Sequence, residues 1–270
     1  MDNQSSPSTL EAALAALTRG ARIVNGGSDV MVPINEGLDS VESWVNLRQV
    51  DSLKQIERTS RGLQIGAGVT FATIERELAS VAPALAQAAS TVGSRQIRNV
   101  ATIGGNVATA SPAGDSLLPL LVYDAEVQLL SHQGSRTIPL VQFLVGPKKT
   151  LRQPDEIITS VTLLNHTGSQ HFAKVGTRNA MVISICSICA RLDLESGVAR
   201  VAAGSVAPTP LLIRAAEDAL LRENAAQEFA DAVVSSASPI SDHRASAEYR
   251  RHALGVLAER VHRKLWQELQ

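Results

Sequence analysis

The sequence predicts a mixed α and β protein, because strand-like apolar segments alternate along the chain with segments of helical periodicity. Apolar residues make up 44% of the 270 positions, which is enough for a substantial core. Apolar density falls after Pro147 and Pro154, and a polar patch spans residues 165–170. These features predict a domain boundary near residue 167.

Before this boundary, helices and strands alternate. Ser8 and Glu11 form a capping box that predicts a helix ending at Gly20. Ile23 and Val24 predict a short strand that runs into an open turn. The other predicted elements are strands at 43–50, 62–70, 125–130 and 136–140, a helix at 70–79 capped by Thr70, and a helix at 82–94.

Beyond the boundary, the pattern predicts a small sheet covered by helices. The last helix is expected to be packed, because Leu254, Leu257, Val261 and Leu265 share one face. The predicted strands lie at 171–176, 180–194 and 198–206, and the predicted helices lie at 209–223, 225–236 and 246–266.

Composition excludes several classes of function. A net charge of -1 and an aromatic content of 3% provide neither the basic surface nor the stacking platform that nucleic acid requires. The apolar runs are too short to span a bilayer, and the N-terminus does not resemble a secretion signal. Two cysteines cannot form a disulfide framework. We therefore expect a cytoplasmic protein.

Two glycine pairs, Gly26-Gly27 and Gly104-Gly105, each follow strand-like apolar residues and precede small polar ones. Glycine-rich loops of this kind can point backbone N–H groups at a pyrophosphate, because no Cβ blocks its approach. Paired glycines are also ordinary turn residues. The glycine pairs are therefore consistent with two interpretations: two ordinary tight turns, or two loops that together bind one dinucleotide.

Other chemical signatures are missing from the sequence. There is no G-x-G-x-x-G after a first strand, no complete P-loop, no G-x-S-x-G and no H-E-x-x-H, and the six histidines lack metal-ligand spacing. Cys186 and Cys189 form a C-x-x-C, but an iron–sulfur cluster normally requires four thiolates. On a strand their spacing places the sulfurs on opposite faces. Buried structural cysteines are favoured over a redox or metal site.

Several segments together resemble the FAD-binding medium subunit of the molybdenum hydroxylases, the family of xanthine dehydrogenase and carbon monoxide dehydrogenase. The similarity extends in order over almost the whole chain. It is carried by ARIVNGGSDVMVPIN, NVATIGGNVATASPAGDSLLPLLVYDAEVQL, LRQPDEIITSV, FAKVGTRNAMVISICSICARL and SAEYRRHALGVLAERV.

The resemblance implies an α+β fold with two parts. Residues 1–166 would form an FAD-binding domain of the vanillyl-alcohol oxidase (PCMH) type, with subdomains at about 1–55 and 56–166. Residues 167–270 would form a domain like the C-terminal domain of the carbon monoxide dehydrogenase flavoprotein, with a three-stranded antiparallel sheet and helices.

The resemblance also implies an oxidoreductase subunit that transfers electrons through FAD. A large partner subunit would carry molybdopterin, and a small one would carry two [2Fe-2S] clusters. The flavin would pass electrons to NAD, oxygen or another acceptor, and the complex would be a dimer of heterotrimers. A flavin-free scaffold or regulatory subunit with the same fold is the alternative. The substrate of the complex cannot be read from this chain.

The cofactor-binding positions follow from the family motifs, which imply no catalytic residue and no metal ligand on this chain. Backbone N–H groups at 25–28 and at the second glycine pair would meet the pyrophosphate, with the Thr102 hydroxyl able to donate. Asp115 would accept from a hydroxyl of the sugar or ribityl portion of the cofactor, because a carboxylate beside a phosphate would be repulsive. Lys174 would lie near the flavin, although a surface salt bridge is an equal alternative. The implied positions are Arg22, Ile23, Val24, Asn25, Gly26, Gly27, Ser28, Asp29, Thr102, Ile103, Gly104, Gly105, Asn106, Asp115, Ile158 and Lys174.

The chain also departs from the family pattern. The first loop reads N-G-G-S-D where relatives often have A-G-G-T-D; Ser in place of Thr keeps the hydroxyl, and Asn is a small polar residue. A family G-x-G-K-T segment is replaced by Gly146-Pro147-Lys148-Lys149-Thr150, which leaves the conformation of that loop open.

Overall fold

The structure is a computed structural model that describes residues 4–17 and 20–270. The chain begins with a small parallel sheet in which the third strand lies between the first two. Its elements are β1 (Gln4–Ser5), α1 (Leu10–Ala16), β2 (Arg22–Val24), α2 (Met31–Asn35) and β3 (Trp44–Asn46).

Helix α1 differs from its prediction at the N-terminus. Its N-cap is Thr9, whose side chain accepts a hydrogen bond from the Ala12 N–H at 3.2 Å. Ser8 therefore does not cap this helix, because Thr9 adopts the extended backbone that lets a hydroxyl reach the first turn. The predicted continuation to Gly20 passes through residues 18–19, which lie outside the described residues.

The middle of the chain forms an antiparallel five-stranded sheet in the order β4-β5-β10-β6-β7, and β8 with β9 forms a separate hairpin. One face of the large sheet packs on helices through Ile65, Val127 and Val161. The strands are β4 (Ile56–Thr59), β5 (Gly62–Gly66), β6 (Glu126–Ser131), β7 (Gly134–Pro139), β8 (Leu144–Gly146), β9 (Lys149–Thr150) and β10 (Ile157–Leu163). The helices are α3 (Phe71–Glu77), α4 (Pro83–Ser90), α5 (Arg95–Arg98), α6 (Ile103–Thr109), α7 (Leu117–Val122) and α8 (Leu140–Phe143).

The last part is an antiparallel sheet with helices on it. Three long strands occur as the resemblance implied, and a fourth strand of two residues extends the sheet. The elements are β11 (Ser169–Val175), β12 (Cys186–Asp193), β13 (Val198–Gly204), β14 (Leu211–Leu212), α9 (Glu217–Leu220), α10 (Ala226–Ser236) and α11 (Ala247–Gln267).

The helix predicted over 209–223 is wrong in its first half. Leu211 and Leu212 pair with β13, and the Ile213 N–H donates to the Val201 carbonyl at 2.8 Å. A 3₁₀ turn at Arg214–Ala216 then leads into α9. Pairing with an existing strand edge therefore overrides the local helical pattern.

Strand β12 is buried along its whole length. Cys186 packs among the residues that α10 and α11 cover, whereas Cys189 belongs to the core beneath α4 and α7. This confirms that the two sulfurs lie on opposite faces. Burial raises the pKa of Cys186 to about 12 and also raises that of Cys189, so both remain neutral thiols.

Candidate functional site

The first glycine pair lies in the turn between β2 and α2. A Cβ on Gly26 would lie 1.9 Å from the carbonyl oxygen of Val100, so only glycine allows this contact. Gly27 has a φ of +71°, a backbone conformation that side chains disfavour. Because Val100 lies two residues before Thr102, the structure brings the first loop directly against the entry to the second glycine segment.

The first loop also offers unused hydrogen-bond donors. Among the residues that the structure describes, none accepts a hydrogen bond from the backbone N–H of Gly26, Gly27 or Ser28. All three residues are half-buried. Amides without a protein acceptor are available to water or to a ligand, and three consecutive donors of this kind fit an anionic group such as a pyrophosphate.

The second glycine pair lies in the first turn of α6, so the strand-like interpretation of this segment is wrong. Thr102 is the N-cap, and its hydroxyl oxygen accepts from the Gly105 N–H at 3.2 Å. The other N–H groups of the turn also have acceptors: Ile103 donates to Val69, Gly104 to Ala67 and Asn106 to Thr102. Unlike those of the first loop, the backbone N–H groups of this turn are therefore all hydrogen-bonded to protein acceptors.

The two glycines of α6 differ in their surroundings. A Cβ on Gly104 would lie 2.5 Å from the Cβ of Ala67, so Gly104 allows α6 to pack against the segment after β5. Gly105 is exposed, and a Cβ there would meet only the Thr102 hydroxyl, at 3.1 Å. Only Gly105 thus presents an open backbone surface.

Further contacts hold α6 against the first loop and the β8–β9 hairpin. The Thr109 hydroxyl donates to Asp29 at 3.1 Å, and the Lys148 N–H donates to the Ala110 carbonyl at 3.1 Å. The Gly146–Thr150 segment is therefore a hairpin packed on the end of α6, with Lys148 at a φ of +55°. The residue before α7 also contacts α6, because the Ser116 hydroxyl donates to the Asn106 side chain at 2.7 Å.

Asp115 and Lys174 form a buried ion pair, with Lys174 Nζ 2.6 Å from Asp115 Oδ2. Their side chains are 7% and 11% exposed, which removes the surface salt bridge as an explanation of Lys174. Lys174 Nζ also donates to the carbonyls of Thr91 and Val182, each at 3.2 Å. Ser184 donates to Asp115 Oδ1 at 2.5 Å, a contact that sequence reasoning missed because nothing in its neighbourhood marks this serine.

The remaining predicted positions lie in or beside strands. Ile158 is buried in β10 at a register shift, and the next residue, Thr159, accepts from the Ala67 N–H at 2.9 Å. Ala67 in turn accepts from Gly104, which links this strand to α6. Ile23 and Val24 pair with β3. Arg22 forms an ion pair with Asp39, with a distance of 2.5 Å between Nη1 and Oδ2.

Within residues 4–17 and 20–270, no cluster of histidine, cysteine, aspartate and glutamate has the arrangement of a metal site. The same residues contain no helix that is long and apolar enough to cross a membrane.

Two parts of the chain match models of known protein families. Residues 3–163 match the family model of the FAD binding domain in molybdopterin dehydrogenase, and residues 171–265 match that of the CO dehydrogenase flavoprotein C-terminal domain. The chain belongs to this family of FAD-binding subunits of molybdopterin-dependent dehydrogenases. It is thus an FAD-binding oxidoreductase subunit related to xanthine dehydrogenase, as the sequence motifs indicated.

Individual relatives agree with this assignment. The chain is 33% identical over 259 residues to the xanthine dehydrogenase FAD-binding subunit of Escherichia coli, which covers 89% of this chain and 87% of that protein. It is also 33% identical over 232 residues to the nicotinate dehydrogenase FAD-subunit of Eubacterium barkeri, covering 80% and 78%. A chain of quinoline 2-oxidoreductase from Pseudomonas putida superposes with a TM-score of 0.92 at 23% identity, covering 98% and 96%. The predicted α+β fold is confirmed.

Proposed function

We propose that this chain binds FAD along α6 and passes electrons from a partner subunit to an external acceptor. The pyrophosphate would lie against the first loop and the exposed face of Gly105. A cofactor hydroxyl would bind Asp115 beside Lys174. The observation that carries the proposal is the set of three backbone N–H groups, at Gly26, Gly27 and Ser28, that have no acceptor among the described residues.

The described residues fit the parts of the cofactor in chemical terms. Backbone amides donate to phosphate oxygens without adding charge, and the glycines leave room for close approach. Asp115 is an acceptor for a hydroxyl. When bound, FAD supplies the ability to take electrons singly and to release them in pairs. This chain would contribute binding and orientation, and no general base is required of it.

The rest of the electron path would lie on other polypeptides. A small subunit with two [2Fe-2S] clusters would deliver electrons from a molybdopterin-binding large subunit, and NAD or oxygen would accept them from the flavin. Two buried cysteines cannot provide the four thiolates of a cluster, which supports this division. A dimer of such heterotrimers in the cytoplasm completes the proposal.

The proposed domain division is 1–166 and 167–270, with a subdivision of the first part near residue 55. It is supported by the sheets: the parallel sheet ends at Asn46, the five-stranded sheet runs from Ile56 to Leu163, and the last sheet starts at Ser169.

Titration of the purified chain with FAD tests the proposal directly. We expect uptake of one FAD per chain, with a yellow product that has no hydroxylase activity without its partners. The matched variant is Gly105→Trp, which places a large side chain on the open surface of α6 and should abolish uptake. Absence of flavin from the wild-type chain, with no uptake on titration, would instead identify the flavin-free scaffold subunit.

A further inference from the structure

The surroundings of Asp115 indicate which side chains prepare this carboxylate for a ligand. Asp115 lies between α6 and α7 and is only 7% exposed. Its backbone position is fixed from the α6 side, because the adjacent Ser116 hydroxyl donates to Asn106. The orientation of the carboxylate, however, depends on its own hydrogen-bond donors.

Three side chains reach the carboxylate, but two of them dominate. Lys174 Nζ lies 2.6 Å from Oδ2, and the Ser184 hydroxyl lies 2.5 Å from Oδ1. The Thr91 hydroxyl lies 3.3 Å from Oδ2, yet it carries a single proton and makes a shorter contact, 2.7 Å, to the Ala88 carbonyl. The two firm donors therefore both come from the part of the chain beyond residue 167.

Ser184 is itself rigidly placed. It is completely buried, and its segment is bonded on either side: two residues before it the Val182 carbonyl accepts from Lys174 Nζ, and one residue after it the Ile185 N–H donates to Val175 at 2.8 Å. The Ile185 carbonyl further accepts from Arg250 of α11. The position of the Ser184 hydroxyl therefore depends on the last sheet and on α11.

A carboxylate has about four lone-pair sites. Lys174 occupies a site on Oδ2, whereas Ser184 occupies one site on Oδ1. One site on Oδ1 is therefore left for a further donor, and Ser184 determines its direction because it holds the same oxygen.

We propose that Ser184 is a positioning residue of the cofactor site, which fixes Asp115 Oδ1 so that its remaining lone pair accepts a hydroxyl of FAD. The inference rests on the proposed function, and it takes the hydroxyl to be one near the flavin, because Asp115 is paired with Lys174, the residue expected beside the flavin. The last sheet then completes the flavin end of the site. The pyrophosphate end depends on the first loop instead. Loss of Ser184 should therefore weaken the binding of FAD without weakening that of a ligand that has only the adenosine and pyrophosphate portion.

The experiment compares FAD with ADP on the full chain. Ser184→Ala should raise the Kd for FAD about ten-fold or more, the usual effect of losing a hydrogen bond to a charged group. The Kd for ADP should stay unchanged. Ser187→Ala is the matched control, because Ser187 is also completely buried but its hydroxyl has no partner in the described structure. Ser184→Cys keeps the side-chain shape with a weaker donor and should give an intermediate Kd, even if the alanine variant does not fold.

Each outcome decides between the hypotheses. An equal loss of FAD and ADP affinity in Ser184→Ala, or the same loss in Ser187→Ala, would overturn the inference in favour of a purely structural role. Unchanged FAD affinity in both Ser184 variants would overturn it while leaving the proposed function intact. A wild-type chain that binds neither FAD nor ADP would overturn both.

Discussion

The two glycine pairs share the same dipeptide but differ in what glycine does there. In the first loop, Gly26 lets the backbone touch Val100, and three N–H groups remain without protein acceptors among the described residues. In α6, the N–H groups of the first turn are bonded to protein, and Gly104 lets the helix touch Ala67. Similar sequence therefore does not mean similar chemistry. The first loop keeps backbone N–H groups available to a ligand, whereas the second pair mainly allows α6 to pack closely.

The largest expected effect is from Gly26→Ala. The added Cβ would lie 1.9 Å from a backbone carbonyl oxygen, which cannot move as a side chain can. The loop must then separate from residues 100–102, and we expect FAD binding to be lost, as measured by titration. Gly37→Ala is the control, because no atom lies within 4 Å of a Cβ added at Gly37, so this substitution introduces no such contact. Retention of wild-type affinity in Gly26→Ala would show that the contact between the two segments is not needed for binding.

Gly105→Trp should also abolish FAD binding, but it should leave the stability of the chain nearly unchanged. Gly105 is exposed, and a Cβ added there meets only the Thr102 hydroxyl. Gly105→Ala provides the comparison: it should raise helix stability by up to about 1 kcal/mol. Chemical denaturation and FAD titration together separate these effects. A stable Gly105→Trp chain that binds FAD normally would remove α6 from the proposed site.

Gly104→Ala should act on stability more than on binding. The Cβ would lie 2.5 Å from the Cβ of Ala67 and 2.7 Å from its carbonyl oxygen, and overpacking of this kind costs about 1–3 kcal/mol. The free energy of unfolding measured in urea should fall by that amount. Adding Ala67→Gly should restore part of it, because the contact with the Ala67 Cβ disappears while those with the backbone remain. If Gly104→Ala instead lost FAD with unchanged stability, the assignment of Gly104 to packing would be wrong.

The smallest expected effects are those on stability of removing the hydroxyl of Thr102 or of Ser28. Thr102→Ala removes the N-cap of α6 and should cost about 1 kcal/mol of stability. Ser28→Ala should change stability very little, because the Ser28 hydroxyl has no hydrogen bond in the described structure and the backbone donor is retained. Thermal unfolding of both variants measures this difference. Equal destabilisation would indicate that the Ser28 side chain has a structural partner.

Local patterns in the sequence predicted a large part of the fold. The Thr70 cap, the two strands predicted at 125–130 and 136–140, and the long final helix all occur as the pattern indicated. The errors came where a distant partner decides the conformation. Leu211 and Leu212 form a strand because β13 offers an edge, and the residues around Gly104 form a helix because the Thr102 cap and the packing on Ala67 favour one.

The candidate site shows the same limit. Family motifs marked Asp115 and Lys174 separately, but the sequence did not show that they form an ion pair, since 59 residues separate them. Ser184 was not found at all, because a serine in an apolar segment has no local signature and its partner lies 69 residues away.

The sequence alone determined the family, the alternation of helices and strands, and the opposite facing of Cys186 and Cys189. These properties follow from motif order and from the periods of the helix and the strand, which are local. Only the tertiary structure decided which amides remain free, which glycine is needed for packing, and which donors orient Asp115. Those properties depend on close contacts between segments distant in the chain, and packing rather than local propensity sets such contacts.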